Sequence, residues 1–157
     1  MKTLLIIDMQ KGFMKNDKYL TLNEKIENLV KNTQYDKIFM AKFFNDTKQN
    51  PLYQEKVGWK GLTNKKEQTF SIKVPKNATI FEKYGYGLKN EQLDMIKTLD
   101  IKEMDICGIK AEACVYTIAL QLWDAKIFPN ILINYIEGEH DMKEIFIKQF
   151  GSVDERR

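Results

Sequence analysis

Histidine is almost missing from this chain: His140 is the only one among 157 residues. A metal centre built on imidazoles needs several, so a His-ligated metal site is excluded and metal-independent chemistry is expected. Cysteine is nearly as scarce, with only Cys107 and Cys114. Two thiols without a leader-like start point to a reducing cytoplasm and free sulfurs. A Cys107–Cys114 disulfide fits the count but conflicts with a reactive thiol at Cys114. The apolar opening Leu4-Leu5-Ile6-Ile7 breaks at Asp8, too early for a signal core. No apolar run approaches the ~20 residues that span a bilayer. The chain has no Gly-x-Gly-x-x-Gly and no Walker-type phosphate loop, so the usual nucleotide cradles are missing. Clustered basic charge is absent too: the net charge is +3 and the lysines are dispersed, which argues against a nucleic-acid surface. The partner expected is a small-molecule substrate, without membrane or nucleic acid.

What is present is a folding chain. Hydrophobic content of 43% and charged content of 30% suit a globular protein, and the length suits one domain over residues 1–157. Strand and helix patterns alternate throughout. Residues 3–7 form a continuous apolar run, as in a strand covered on both faces. Thr21-Leu22-Asn23-Glu24 reads as a capping box, followed by Ile26, Leu29 and Val30 on one helical face. Further strands are expected at 37–44, 79–81, 105–109 and 130–134, with a short extra one at 71–74. Helices are expected from about residue 90, from about residue 111, and around Met142–Phe150, where Gly151 can end the last one. This alternation implies a three-layer α/β/α sandwich: a Rossmann-like, mostly parallel sheet of five or six strands, ordered 3-2-1-4-5. Residues 45–77 show no period, and a connection that long is usually functional. Such a loop suits either surface covering, with Trp59 pinning it to the body, or a lid or subunit contact in a homo-oligomer that lines the substrate pocket.

Three side chains fall at strand exits, where open α/β sheets carry their chemistry. Asp8 ends strand one, Lys83 follows strand three, and Cys114 opens the helix after strand four. Each has an ordinary explanation: a turn former, a solvated lysine and a packed thiol. As a set they make chemical sense. A carboxylate takes the thiol proton, and an ammonium favours both anions. The start of a helix should itself favour thiolate. The amides of the turn before Cys114 point toward the strand exit, where two of them suit an oxyanion. Phe13, Phe44, Tyr84 and Tyr86 lie near the same exits and suit an apolar pocket or simple core packing. His140, at the start of the last helix, reads as a capping or surface residue rather than a base.

These segments resemble the isochorismatase-like cysteine hydrolases. Asp8-Met9-Gln10-Lys11-Gly12-Phe13 is similar to the family's strand-end Asp-x-Gln with a downstream Phe. Phe81-Glu82-Lys83-Tyr84-Gly85 is similar to its lysine segment. Gly108-Ile109-Lys110-Ala111-Glu112-Ala113-Cys114-Val115 resembles its nucleophile turn, and Ala119-Leu120-Gln121-Leu122-Trp123-Asp124 its following helix. The resemblance implies an Asp8–Lys83–Cys114 triad and a cis peptide between Ile109 and Lys110. It implies an oxyanion hole from the Lys110 and Cys114 amides. The implied reaction is hydrolysis of a small amide-like substrate through a thioester, without a cofactor. Two departures stand out. Phe43-Phe44-Asn45-Asp46-Thr47-Lys48 lacks the Asp-x-His metal segment of nicotinamide-hydrolysing members, and Ala111 replaces the commoner Thr. The alternative is a relative that binds a small ligand or a partner without turning it over.

Overall fold

A computed structural model describes all residues, Met1 to Arg157. Five strands form one parallel sheet: β1 (Thr3–Ile7), β2 (Lys37–Phe43), β3 (Ala78–Lys83), β4 (Glu103–Ile109) and β5 (Phe128–Glu137). Their order is β3-β2-β1-β4-β5, so the direction of winding reverses between β1 and β4. That reversal opens a crevice at the strands' carboxyl ends.

The alternation of side chains across β1 explains the layers. Leu4 and Ile6 face one way, into a core completed by Tyr19, Leu22, Ile26 and Leu29 of α1 (Asp17–Asn32). Leu5 and Ile7 face the other way, into the larger core. That second core is roofed by α4 (Asn90–Thr98), α5 (Tyr116–Asp124) and α6 (Lys143–Phe150). Because β1 is buried on both faces, it is apolar from Leu4 to Ile7, and Asp8 stands at its exit. Short helices α2 (Leu52–Glu55) and α3 (Lys65–Gln68) break the long connection after β2. No helix is long and apolar enough to cross a membrane.

Several boundaries differ from the sequence reading. Helix α1 begins at Asp17, capped by Asn16, whose Oδ1 accepts the Tyr19 N–H at 3.2 Å. The Thr21–Glu24 box therefore lies inside the helix, because Asn16 is a good cap one turn earlier and Tyr19 extends the buried face. Residues 71–74 form no strand. Only Phe70 makes a bridge there, antiparallel to Gln10. Strand β3 runs on to Lys83, and β5 spans ten residues rather than five.

One glycine is dictated by a close approach. Gly108 has φ +121°, and a Cβ there would lie 2.2 Å from the Ile7 carbonyl oxygen. Only glycine allows β4 to press so near β1 just before the nucleophile turn. The β4–β5 register also shifts between Ile106 and Gly108. At the sheet's other end, the buried Asp105 accepts from Tyr35 Oη (2.8 Å), Asn130 Nδ2 (2.8 Å) and Arg156 (3.1 Å). The C-terminal tail is thereby tied to the strand starts, and a buried carboxylate is satisfied.

Candidate active site

Asp8 is the first residue past β1 and has φ 54°, a left-handed conformation uncommon outside glycine. Lys83 is the last residue of β3, in register with Phe43 of β2. Its stem crosses the end of β2, with Nζ 5.0 Å from the centre of the Phe43 ring. Beyond it, Nζ reaches Asp8 Oδ2 at 3.1 Å. A lysine side chain is long enough to span one intervening strand. The same ammonium donates to Cys114 Sγ (3.3 Å) and to the carbonyl of Gly85 (2.8 Å). Asp8 and Lys83 are both sealed from solvent, and Cys114 is half-buried. Lys83 meets Asp8 as an ion pair, and both carboxylate oxygens keep accepting capacity. The carboxylate is also within hydrogen-bonding influence of the Cys114 thiol.

Cys114 lies in a wide helical turn, Ala111–Val115, that leads into α5. The Ile109–Lys110 peptide before it is cis. The surroundings of Cys114 work against the thiolate expected at a helix start. Burial and the Asp8 carboxylate push the thiol up to about 12, and the Lys83 ammonium only partly opposes them. A helix start cannot outweigh desolvation plus an adjacent anion. Both influences favour the protonated thiol. Burial also raises Asp8 despite the neighbouring ammonium. For Lys83, burial works against the charge, but Asp8 and Cys114 more than offset it, and the net shift is upward.

These shifts predict how stability varies with pH. The thiol's ordinary value is 9.0 and its folded value about 12, so the unfolded chain loses this proton first as pH rises. Lys83 contributes fully below its ordinary 10.5 and loses that contribution through its raised folded value. Asp8, raised from 3.8, has the same sign at lower pH. Unfolding free energy should therefore fall above about pH 9, and less steeply in Cys114→Ala. Urea midpoints measured from about pH 8 to 11 check this. A flat profile would contradict it.

A cavity of ≈ 480 Å³ opens beside Cys114. Phe13, Phe43, Tyr53, Trp59 and Tyr86 supply aromatic walls, with Val57, Gly58, Lys110 and Ala113 around them. Trp59 stacks on Phe43 at 5.8 Å and on Phe13 at 5.9 Å. Of the aromatics expected at the pocket, Phe13 and Tyr86 line it. Phe44 and Tyr84 do not: they pair with each other at 6.1 Å, outside this cavity. Strand alternation is the reason. Phe43 turns into the crevice, so Phe44 must turn away.

The sequence reading gave no pocket role to Phe43 or Tyr53, whereas Trp59 lies in the long loop it read as a lid or contact lining the pocket. It also gave no role to the residues that hold them. Gln10 is fully buried, donates to the carbonyls of Phe43 (2.8 Å) and Gln68 (2.9 Å), and accepts the Phe43 N–H (2.9 Å). Asn45 is buried and donates to the carbonyls of Trp59 (3.0 Å) and Gly61 (2.9 Å). A buried amide with every hydrogen bond spent on one loop is a positioning device. The available signal was Gln10 itself, two residues beyond Asp8. His140 is exposed and lies away from this cavity. No group of three His, Cys, Asp or Glu side chains is placed to hold a metal ion.

Solved structures share the whole fold. The nicotinamidase of Staphylococcus aureus is 14% identical, with 99% of this chain and 98% of that chain covered and a TM-score of 0.76. The N-carbamoylsarcosine amidase of Thermoplasma acidophilum is 16% identical, with 99% and 96% covered and a TM-score of 0.77. The zinc complex of the pyrazinamidase of Pyrococcus horikoshii is 17% identical, with 98% and 97% covered and a TM-score of 0.74. At these identities the likeness concerns the fold. No curated protein matches the chain in sequence. The sequence itself matches the Isochorismatase domain over residues 2–127, a stretch that holds Asp8, Lys83 and Cys114, and the chain belongs to this isochorismatase-like hydrolase family.

Proposed function

We propose that this chain hydrolyses the C–N bond of a small amide-like substrate through a thioester on Cys114. The observation that carries the reading is the convergence of Asp8, Lys83 and Cys114 beside one aromatic cavity, with Lys83 within 3.3 Å of both partners. The high thiol value gives Asp8 its task. As Cys114 Sγ attacks the carbonyl carbon, the thiol proton passes to the Asp8 carboxylate, so no free thiolate has to be stored. The carbonyl π pair moves to oxygen, and the amides of Lys110 and Cys114 receive that charge. Collapse of the adduct expels the amine, which takes the proton from Asp8. Water then attacks the thioester, Asp8 accepts its proton, and the thiol leaves protonated. Lys83 holds a fixed positive charge beside the sulfur and the carboxylate throughout, so neither anion is left uncompensated in the buried site.

The test is intact-mass measurement after acid quench, with a panel of small amides, carbamoyl compounds and ureides, and chelator present throughout. A substrate should leave an acyl mass on the protein that maps to Cys114 and is absent from Cys114→Ala. Turnover should be unaffected by chelator. Hydrolysis that needs added zinc, or that proceeds in Cys114→Ala, would defeat the reading.

A further inference from the structure

Eight of the ten residues lining the cavity are hydrophobic, and Lys110 alone among them carries a charged side chain. The deeper ammonium of Lys83 is offset by Asp8 at 3.1 Å. Lys110 therefore supplies the only charged side chain on the cavity wall, paired at 3.6 Å with Glu139, which does not line it. Five aromatic rings by themselves would welcome a cation. Lys110 reverses that preference, because a like charge in an apolar cavity is repelled.

The Lys110 side chain is anchored at its base and free at its tip. Its backbone opens the nucleophile turn, its Nζ lies 6.0 Å from the centre of the Phe13 ring, and its side chain is 35% exposed. Nζ lies 3.6 Å from Glu139 Oε1, longer than a charge-assisted hydrogen bond. Glu139 does not depend on that contact. Its carboxylate accepts the Tyr19 hydroxyl at 2.6 Å and faces Lys18 at 3.9 Å. Its backbone N–H donates to the two Glu112 oxygens at 3.0 and 3.2 Å. Those bonds hold the counter-ion in place whether Lys110 stays or turns inward.

We propose that Lys110 is the anion-binding residue of this cavity, exchanging Glu139 for a carboxylate on the substrate, which is a compact apolar amide with that carboxylate remote from the scissile bond. The amide end rests on the hydrolytic reading of Cys114. The anionic end rests on Lys110, Glu139 and the apolar wall.

Three matched probes separate the two parts: benzamide, 4-carbamoylbenzoate and 4-(aminomethyl)benzamide. Their dissociation constants are measured by calorimetry in Cys114→Ala, where no turnover intervenes. The carboxylate probe should bind about tenfold more tightly than benzamide, and the ammonium probe more weakly than benzamide. Lys110→Gln should bring the carboxylate-to-benzamide ratio close to one, whereas Lys110→Arg should keep it. Glu139→Gln removes the competing carboxylate and should raise the ratio. An unchanged ratio in Lys110→Gln overturns the proposal, as does a preference for the neutral or cationic probe. Failure of the carboxylate probe to bind at millimolar concentration overturns it too. Hydrolysis of the same probes by the unaltered chain reports on the chemistry separately. No turnover with the binding ratio intact defeats the hydrolytic reading and leaves the anion site standing. Turnover of the neutral and anionic probes at equal efficiency, with equal affinities, does the reverse.

Discussion

Replacing Cys114 by alanine is expected to lower kcat by roughly 10⁴- to 10⁶-fold, the scale at which losing a nucleophile removes the whole covalent route. Stability should change by no more than about 1 kcal/mol, because the sulfur borders a cavity and its loss leaves no buried group stranded. Lys83 retains Asp8 at 3.1 Å and the Gly85 carbonyl at 2.8 Å after the substitution. Steady-state kinetics and a urea midpoint on the same preparation read both quantities. Turnover within tenfold of the unaltered chain would sink the nucleophile assignment. A large drop in stability would show that the thiol is chiefly a packing group.

Asp8→Asn should be damaging in both respects. An amide cannot accept the thiol proton, so kcat should fall by about 10²- to 10⁴-fold. The substitution also removes the countercharge of an ammonium that has no exposure to solvent. Breaking a buried pair from one side costs about 3–5 kcal/mol, and the carbonyls around Lys83 should hold the loss to about 3 kcal/mol. The thiol should respond in the opposite direction from the activity. Asp8 raises Cys114 by charge and by hydrogen bonding, so its removal lowers the thiol from about 12 and should speed alkylation by iodoacetamide. Slower hydrolysis with faster alkylation distinguishes a lost base from a collapsed site. Turnover close to normal would dismiss Asp8 as the base.

The two variants probe groups whose types and approximate places are legible in the chain. Asp8 follows an unbroken apolar strand, and Cys114 follows a glycine-bearing strand and opens a helix. Both positions depend on local pattern. Lys83 is different. The pattern places it just beyond a short strand at the sheet's edge, one strand removed from Asp8. The structure keeps it in β3, and the side chain crosses Phe43 to arrive at 3.1 Å. Side-chain reach over a neighbouring strand is invisible until the strand order and register are known.

The pocket shows the same division more sharply. One-residue alternation decides that Phe43 faces the crevice while Phe44 does not, and the strand's end is where a reading of its bounds is weakest. Tyr53 and Trp59 come from a stretch with no period. They are held by Asn45 and by stacking on Phe43 and Phe13, all contacts distant in sequence.

The chain alone determined the alternating α/β architecture and the strand exits at which Asp8 and Cys114 stand. Each follows from short-range periodicity and from the residues that stand where strands stop. Only the tertiary structure decided the burial that raises the Cys114 thiol, the aromatic walls and the Lys110 ammonium that joins them. Desolvation, side-chain reach and packing against the long loop depend on neighbours far along the chain, and no local pattern encodes them.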